Sequence, residues 1–568
     1  MTIRRVAGWA LVSSLCAPLL PGAALAAGRG PRPSAAEPAA GVGQSIYLRG
    51  VLGSGEPLQG NREAGVAAVG SDAACVNCHQ RSGLGSREGN VTVPPITGRY
   101  LFSSRAPEAD APALPSAESR YEDREPYTDE TLARAIREGL DAQGRPLGYL
   151  MPRYALGDED MAALLGYLKQ LDPRPVPGVI DSVVHIATIV TPDADPLKRG
   201  GMLDVLEKFF AQKNRATLRP TPALRTSRRT RYAQSMFLAN RHWQLHVWEL
   251  TGPAQTWRAQ LEKRLAAEPV YAVLSGLGGR DWAPVHEFCE QHAVPCLFPN
   301  VEVPVVKERD FYPVYFSKGV LLEAELIARA ILASDDHPAA VEQVYRAGDS
   351  GEAAAQALAA QLEGHGVTVY GTILPAGARG QAVAAALRRP PLHRGARRQE
   401  VRGDRALVLW LRPDDIAALG KVPARASSVY LSGLMGGLER SPLPAGWREH
   451  TLMTYPFDLP GKRTVRLDFA LGFFRFQRIP LVDERVQTDT FLACSVLAEI
   501  LKHMGDDLSR PYLVEKLQAM LEHRIITGYY PRLALGSNQR FASKGGYLVR
   551  FRDPAGRTLV AQGDWIVP

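Results

Sequence analysis

The sequence predicts a multidomain chain whose larger, C-terminal part is α/β with parallel sheets. Three observations predict it. At 568 residues the chain is too long for a single hydrophobic core. From Val183 onward, short apolar runs alternate with amphipathic stretches of helical length, the rhythm of strand and helix in succession. Ahead of that rhythm, Asp172-Pro-Arg-Pro-Val-Pro-Gly178 is a proline-rich break between two regions of different character. A hydrophobic content of 45% with 22% charged residues belongs to a globular chain and excludes a wholly disordered one.

The N-terminus reads as a targeting segment. Arg4-Arg5 supply a positive start, Val6 to Leu20 an apolar stretch, and Ala24-Leu25-Ala26 a small-x-small site, so residues 1–26 are expected to be a signal peptide cut after Ala26. Cys16 is not read as a lipid anchor, because Leu15 stands where a small residue is needed. Residues 27–43 are rich in Pro, Gly and Ala and are expected to be a disordered linker. No long apolar run follows, so no membrane span is expected in the mature chain. Net charge is +8, yet residues 44–172 carry 13 Lys+Arg against 18 Asp+Glu while residues 173–568 carry 50 against 40. Positive charge so dispersed on an exported chain makes nucleic acid an unexpected partner.

Cys75-Val76-Asn77-Cys78-His79 organises the first domain. Two thiols three apart can each add across a porphyrin vinyl group, and the adjacent histidine is positioned to ligate the iron. A zinc site would need two further ligands at ribbon or finger spacing, and none follow. A thioredoxin-like pair would open a helix after a buried strand, whereas Val66 to Ala74 is small-residue and weakly hydrophobic. The sixth iron ligand follows by elimination. His79 is the sole histidine between Gln44 and Asp172, and the methionines there are Met151 and Met161. Met161, Leu164, Leu165 and Leu168 recur at helical spacing, so Met161 is core. Met151 stands in Gly148-Tyr-Leu-Met-Pro-Arg-Tyr154, where Pro152 keeps it extended, and it is the axial candidate.

With CVNCH, Pro94-Pro95-Ile96-Thr97-Gly98, MPRY and a closing helix begun by Asp158-Glu159-Asp160, residues 44–172 resemble a bacterial single-haem class I cytochrome c. The resemblance implies an all-α domain with one covalent haem c on Cys75 and Cys78 and axial His79 and Met151. Ser103 to Glu125 departs from it as a surface excursion rich in Pro, Ala and charge.

Residues 173–181 are expected to be a stiff spacer, about 3 Å per residue. Beyond it the expected strands and helices follow in turn: strands at Val184–Val190, Trp243–Leu250, Val270–Gly276, Pro295–Pro299, Val341–Arg346, Val367–Leu374 and Ala406–Leu411; helices at Leu197–Lys213, Gln255–Ala266, Asp281–Gln291, Val320–Leu332, Glu352–Leu362 and Arg485–His503. Residues 182–568 resemble type 1 periplasmic binding proteins, especially branched-chain amino-acid receptors, which implies two α/β lobes with a ligand cleft between them. A basic insertion, Asn214 to Arg231, and a basic loop after Arg388 depart from that family.

Ligands of open α/β sheets sit beyond the carboxyl ends of the strands. Ser275-Gly-Leu-Gly-Gly279, leading into the helix expected at Asp281, offers backbone N–H groups to a carboxylate, with Ser275, Gly278 and Gly279 as candidates. Gly348-Asp-Ser-Gly351 faces it from the second lobe, with Asp349 and Ser350. The alternative is that glycine-rich turns are simply what such turns are made of. Cys289 and Cys296 are either a helix-to-strand disulfide or two buried thiols, and Cys494 is inert core. No catalytic set is evident. The reading is a periplasmic electron carrier with a module that binds a small molecule, such as an amino acid, or docks a redox partner, such as a periplasmic dehydrogenase or a terminal oxidase chain. The rivals are a solute receptor of an ABC-type importer with an accessory cytochrome, and the haem subunit of a dehydrogenase complex.

Overall fold

The computed structural model describes residues 39–62, 65, 67–88, 91–103, 125–171, 175–180, 183–215, 241–334, 338, 340–377, 381–388, 405–420, 426–505, 507–522, 528–536 and 538–568. The expected signal peptide, residues 27–38 of the expected linker and most of the excursion after Ser103 lie outside them. So do most of the two basic segments, after Asn214 and after Arg388.

The first domain is built on helices α1 (Ala39–Arg49), α2 (Val76–His79), α3 (Gly98–Phe102), α4 (Asp129–Glu138) and α5 (Asp158–Gln170). Helix α4 is held at both ends, by the Thr128 hydroxyl accepting from the Thr131 N–H and by Gly139 in the left-handed region at φ 74°. Helix α1 crosses α5 where Gly43 meets Ala163; a Cβ at Gly43 would lie 2.1 Å from the Ala163 carbonyl oxygen. That crossing corrects the expected linker, because α1 begins at Ala39, inside the 27–43 segment. Small residues that looked like disorder are what lets two helices approach this closely. Ile46, Tyr47, Leu132, Ile136, Leu164 and Leu168 form the core between them.

The all-α expectation also needs correction. Strands β1 (Gln59–Asn61), β2 (Ala67–Val69) and β5 (Arg153–Tyr154) make an antiparallel sheet in the order β2-β1-β5, and β3 (Arg87–Glu88) pairs with β4 (Val91–Thr92). Gly60 explains why the chain can pair here: a side chain on it would run into the Tyr154 ring and Pro152 within 3.0 Å. The segment after Met151 therefore lies directly on β1, as Gly60 opposite Tyr154 and Asn61 opposite Arg153.

The second domain has two sheets, as the alternating rhythm predicts. The first contains β6 (Val179–Ile180), β7 (Val183–Val190), β8 (His242–Glu249), β9 (Ala272–Leu274), β10 (Leu277–Gly278), β11 (Cys296–Leu297), β12 (Asn300–Val301) and β13 (Pro313–Val314). Its path is β12-β10-β7-β9-β11-β13, with β6 and β8 also paired to β7. The second contains β14 (Ala340–Arg346), β15 (Thr368–Leu374), β16 (Arg405–Trp410), β17 (Ala426–Leu431), β18 (Thr451–Tyr455), β19 (Tyr547–Phe551) and β20 (Leu559–Ala561), in the order β15-β14-β16-β17-β18-β19-β20. It is parallel through β18 and antiparallel beyond.

Helices α6 (Pro196–Arg215), α7 (Trp257–Ala267) and α8 (Ala283–Gln291) belong to the first lobe; α9 (Val320–Leu332), α10 (Ser350–Leu362) and α11 (Gln381–Arg388) belong to the second. Helices α12 (Pro460–Gln477), α13 (Glu484–Met504) and α14 (Arg510–Leu521) come late in the chain, and α13 returns to pack on α6 of the first lobe. Cys289, Cys296 and Cys494 are all buried, and none is disulfide-bonded. Burial, with Cys296 alongside, pushes the Cys289 thiol well up.

The proline-rich run is not a free spacer over its whole length. Val179 and Ile180 pair antiparallel with Val184 and Val183, and Val176 and Val179 pack on the first-lobe core. Gly178 sits at φ 77°, with its carbonyl accepting the His185 N–H at 2.8 Å, and a Cβ on it would lie 1.9 Å from the Tyr271 nitrogen. Composition predicts an extended spacer, but hydrogen-bonding groups on β7 capture its second half. Gly178→Ala is expected to cost about 2 kcal/mol or more in urea unfolding, from the positive φ and the backbone clash. An unchanged midpoint would show the segment to be free.

Candidate haem site and inter-lobe loops

The turn carrying Cys75, Cys78 and His79 is fixed from several directions. Asn77 Nδ2 donates to the Ser71 carbonyl at 2.7 Å, closing the turn that enters α2. On the far side, the Tyr47 hydroxyl of α1 donates to the Gln80 carbonyl at 2.6 Å. His79 is buried, and its Nδ1 lies 3.0 Å from the Pro94 carbonyl oxygen. A proton on Nδ1 donated to that carbonyl leaves the Nε2 lone pair for a metal. Burial pushes the imidazole down to about 4, with the Pro94 bond opposing, so the ring is neutral as a ligand must be. Burial pushes the Cys75 thiol up to about 12, opposite to the lowered thiol of a thioredoxin-like pair. Among the described residues no group of three His, Cys, Asp or Glu is placed to hold a metal ion.

Met151 is partly buried against the same core. Its N–H donates to the Gly148 carbonyl at 3.0 Å, and its own carbonyl accepts from Arg153 Nη1. Three residues on, the Tyr154 hydroxyl donates to the Ala73 carbonyl at 3.0 Å, tying the methionine loop to the turn before Cys75. Met161, by contrast, is 3% exposed within α5 and belongs to the core. Two thiols three apart, a buried neutral histidine with one nitrogen occupied, and a methionine loop laced to the same turn are a set that fits a covalent haem. Sequence reasoning missed Tyr47, Tyr154 and the Pro94 carbonyl. Only the last had a signal, the PPITG segment downstream of the histidine.

The inter-lobe loops are occupied by the protein's own groups. Ser275 is fully buried at φ 55°, within 3.1 Å of both the Thr490 hydroxyl of α13 and Asn300 Nδ2. A Cβ on Gly278 would meet the Trp282 ring at 2.8 Å, and one on Gly279 the Asp193 carboxylate at 2.4 Å. Helix α8 opens at Ala283, not at the expected Asp281, and the carboxylate received on this loop is Asp193, which accepts the Arg280 N–H at 3.1 Å. On the other side Asp349 caps α10 and binds Arg412 at 2.6 and 2.9 Å. Arg412 also forks onto Glu302 at 2.8 and 2.6 Å, and Ser350 Oγ donates to Glu302 at 2.7 Å. Burial pushes the Glu302 carboxyl up, but the Arg412 guanidinium overrides it and holds the group at about 2. Asp349 and Ser350 thus meet around Arg412, while Ser275, Gly278 and Gly279 are spent on first-lobe partners. Arg280 joins the two sides through Glu352 at 3.1 Å.

Residues 63–172 match the family model of cytochrome c. A cytochrome c domain implies covalently bound haem. No curated protein matches the chain. Among solved structures, a fatty acid ABC transporter substrate-binding protein from Thermomonospora curvata shares 13% identity over 69% of this chain and 94% of its own, at a TM-score of 0.44. A branched-chain amino acid ABC transporter protein from Thermus thermophilus with bound valine shares 11% over 68% and 97%, at 0.47. A leucine-binding protein from Thermotoga maritima shares 12% over 68% and 99%, at 0.45. Among the described residues no helix is long and apolar enough to cross a membrane.

The two domains touch beside the CVNCH turn. The Ser82 N–H donates to Glu515 Oε1 on α14 at 2.8 Å, and the Arg81 guanidinium lies 4.4 Å over the Phe311 ring. Arg99 and the Tyr100 hydroxyl each reach the Asp507 carboxylate at 3.0 Å. The α/β domain therefore covers the chain immediately after His79.

Proposed function

We propose that the chain is a periplasmic c-type cytochrome carrying one covalent haem for one-electron transfer, with an α/β module that docks the haem domain and a redox partner. In this plan residues 1–26 direct export, 44–172 hold haem and 182–568 form the docking module. Haem, when bound, supplies a one-electron change at iron whose potential is set by the axial ligands and their surroundings. These residues would hold and tune it: Cys75 and Cys78 through thioethers, His79 through Nε2 while the Pro94 carbonyl fixes the ring, and Met151 through its thioether. The observation that carries this is the His79 to Pro94 bond at 3.0 Å inside a turn already bearing both thiols. Docking is favoured over solute capture because Ser275, Asp349 and Ser350 already have internal partners and Gly279 packs on the Asp193 carboxylate.

Met151→Ala is expected to abolish the weak sulfur-to-iron charge-transfer band and lower the reduction potential, because a thioether ligand raises it. Met161→Leu should leave both nearly intact. The reverse pattern would assign the ligand to the wrong methionine. Branched-chain amino acids added to the purified chain should leave its melting temperature unchanged, whereas a concentration-dependent rise would restore the receptor reading.

A further inference from the structure

Glu515 is 8% exposed, on α14, at the junction of the two domains. One carboxyl oxygen, Oε1, accepts the Ser82 N–H at 2.8 Å, three residues past His79. The other, Oε2, is buried and accepts no hydrogen bond among the described residues, although the Ser82 side chain and the Arg81 backbone lie close enough to oppose a rise in the carboxyl's proton affinity. A buried carboxylate oxygen short of donors is disfavoured as an anion, and a proton on it removes the charge. The groups that face Glu515 are few. Arg81 stands beside Ser82, and Tyr47 approaches from α1; beyond Arg81 lie Tyr312, Tyr167 and Arg540. Asp507, the nearby acid that joins the domains, is engaged by Arg99 and Tyr100.

We propose that Glu515 is a tuning residue of the haem centre, taking up a proton when the iron is reduced and releasing it when the iron is oxidised. The proposal rests on the haem reading above and goes beyond it. The oxidised centre carries one more positive charge than the reduced one, which favours the Glu515 carboxylate. An electron delivered by an external one-electron donor, here an electrode, would remove that charge, and the Glu515 carboxylate would then take a proton from a buffer acid, an O–H bond forming at the carboxyl as the acid's bond to hydrogen breaks, so that one electron and one proton are taken up together. Burial pushes Glu515 up to about 7, with Ser82 and Arg81 opposing, so the exchange falls around neutral pH. The sign follows from linkage. Between the lower proton affinity of the oxidised form and the higher one of the reduced form, each electron brings up to one proton, so the potential falls as pH rises. Outside that window Glu515 contributes no slope.

The test uses the full haem-loaded chain, with its potential recorded at an electrode from pH 5 to 9. Glu515→Gln keeps an oxygen to accept the Ser82 N–H but cannot titrate. The wild type is expected to show a falling segment around pH 7 that Glu515→Gln lacks and Glu515→Asp partly keeps. A reduced-minus-oxidised infrared difference spectrum should show a carboxylic-acid C=O band, lost in Glu515→Gln. An identical slope in wild type and Glu515→Gln, or a wild-type difference spectrum without that band, overturns the proposal; the second readout stands even if the variant undocks the domains. A purified chain without covalent haem overturns the underlying reading instead, and is seen before any titration.

Discussion

Replacing both Cys75 and Cys78 with alanine is expected to abolish covalent haem attachment. Thioether bonds survive denaturation, so the wild-type chain should keep its haem through a denaturing gel and the double variant should show none. Each single variant should retain one thioether or fail to mature, because the second thiol sits one helical turn away on α2. The effect is all-or-none rather than graded. Covalent haem that persisted in the double variant would require other anchors and would sink the assignment.

The second large effect is expected at Arg412. Its guanidinium holds Glu302 and Asp349 together, and removing it leaves two acids facing each other with Ser350 their nearest donor. Breaking a buried pair typically costs 3–5 kcal/mol. A third of the Arg412 side chain is exposed, so Arg412→Ala is expected to cost about 3 kcal/mol in urea unfolding. Glu302→Gln added to Arg412→Ala should recover part of the loss, because the stranded charge is then absent. The pH dependence has a definite sign. Glu302 is held at about 2, below its unfolded range, so its contribution is fully present above about pH 4.5 and is lost as pH falls toward 2. In Arg412→Ala that acid-side loss should disappear. Stability unchanged by Arg412→Ala would show that the lobes are held by other contacts.

Much of the fold was legible because it is written in local periodicity. The expected helix at Val320–Leu332 matches α9 to the residue, and the expected strand at Val184–Val190 matches β7 within one. Helix α12 escaped for a physical reason. It buries Leu467, Ala470 and Phe474 but also exposes Val465, Phe469 and Phe476, so no single apolar face marks it. The proposed haem site rests on five consecutive residues, because covalent attachment demands a fixed spacing. Its supports were not legible: Tyr47 reaches Gln80 from 33 residues away, and Glu515 reaches Ser82 from 433. The inter-lobe loops show the same limit from the other side. Glycines in a strand-to-helix turn declare available N–H groups, but nothing local declares that Asp193, 87 positions earlier, already takes the Arg280 N–H. Proline content likewise predicts an extended spacer over 173–181, while pairing to β7 decided its end.

The central claim, an exported chain with one haem fixed to Cys75 and Cys78, is tested most directly by the intact mass of the protein purified from its native compartment. The account predicts a single species whose chain begins at Ala27 and carries the added mass of one haem, retained after denaturation. A species with the mass of the bare polypeptide, or with haem that departs on denaturation, would contradict it.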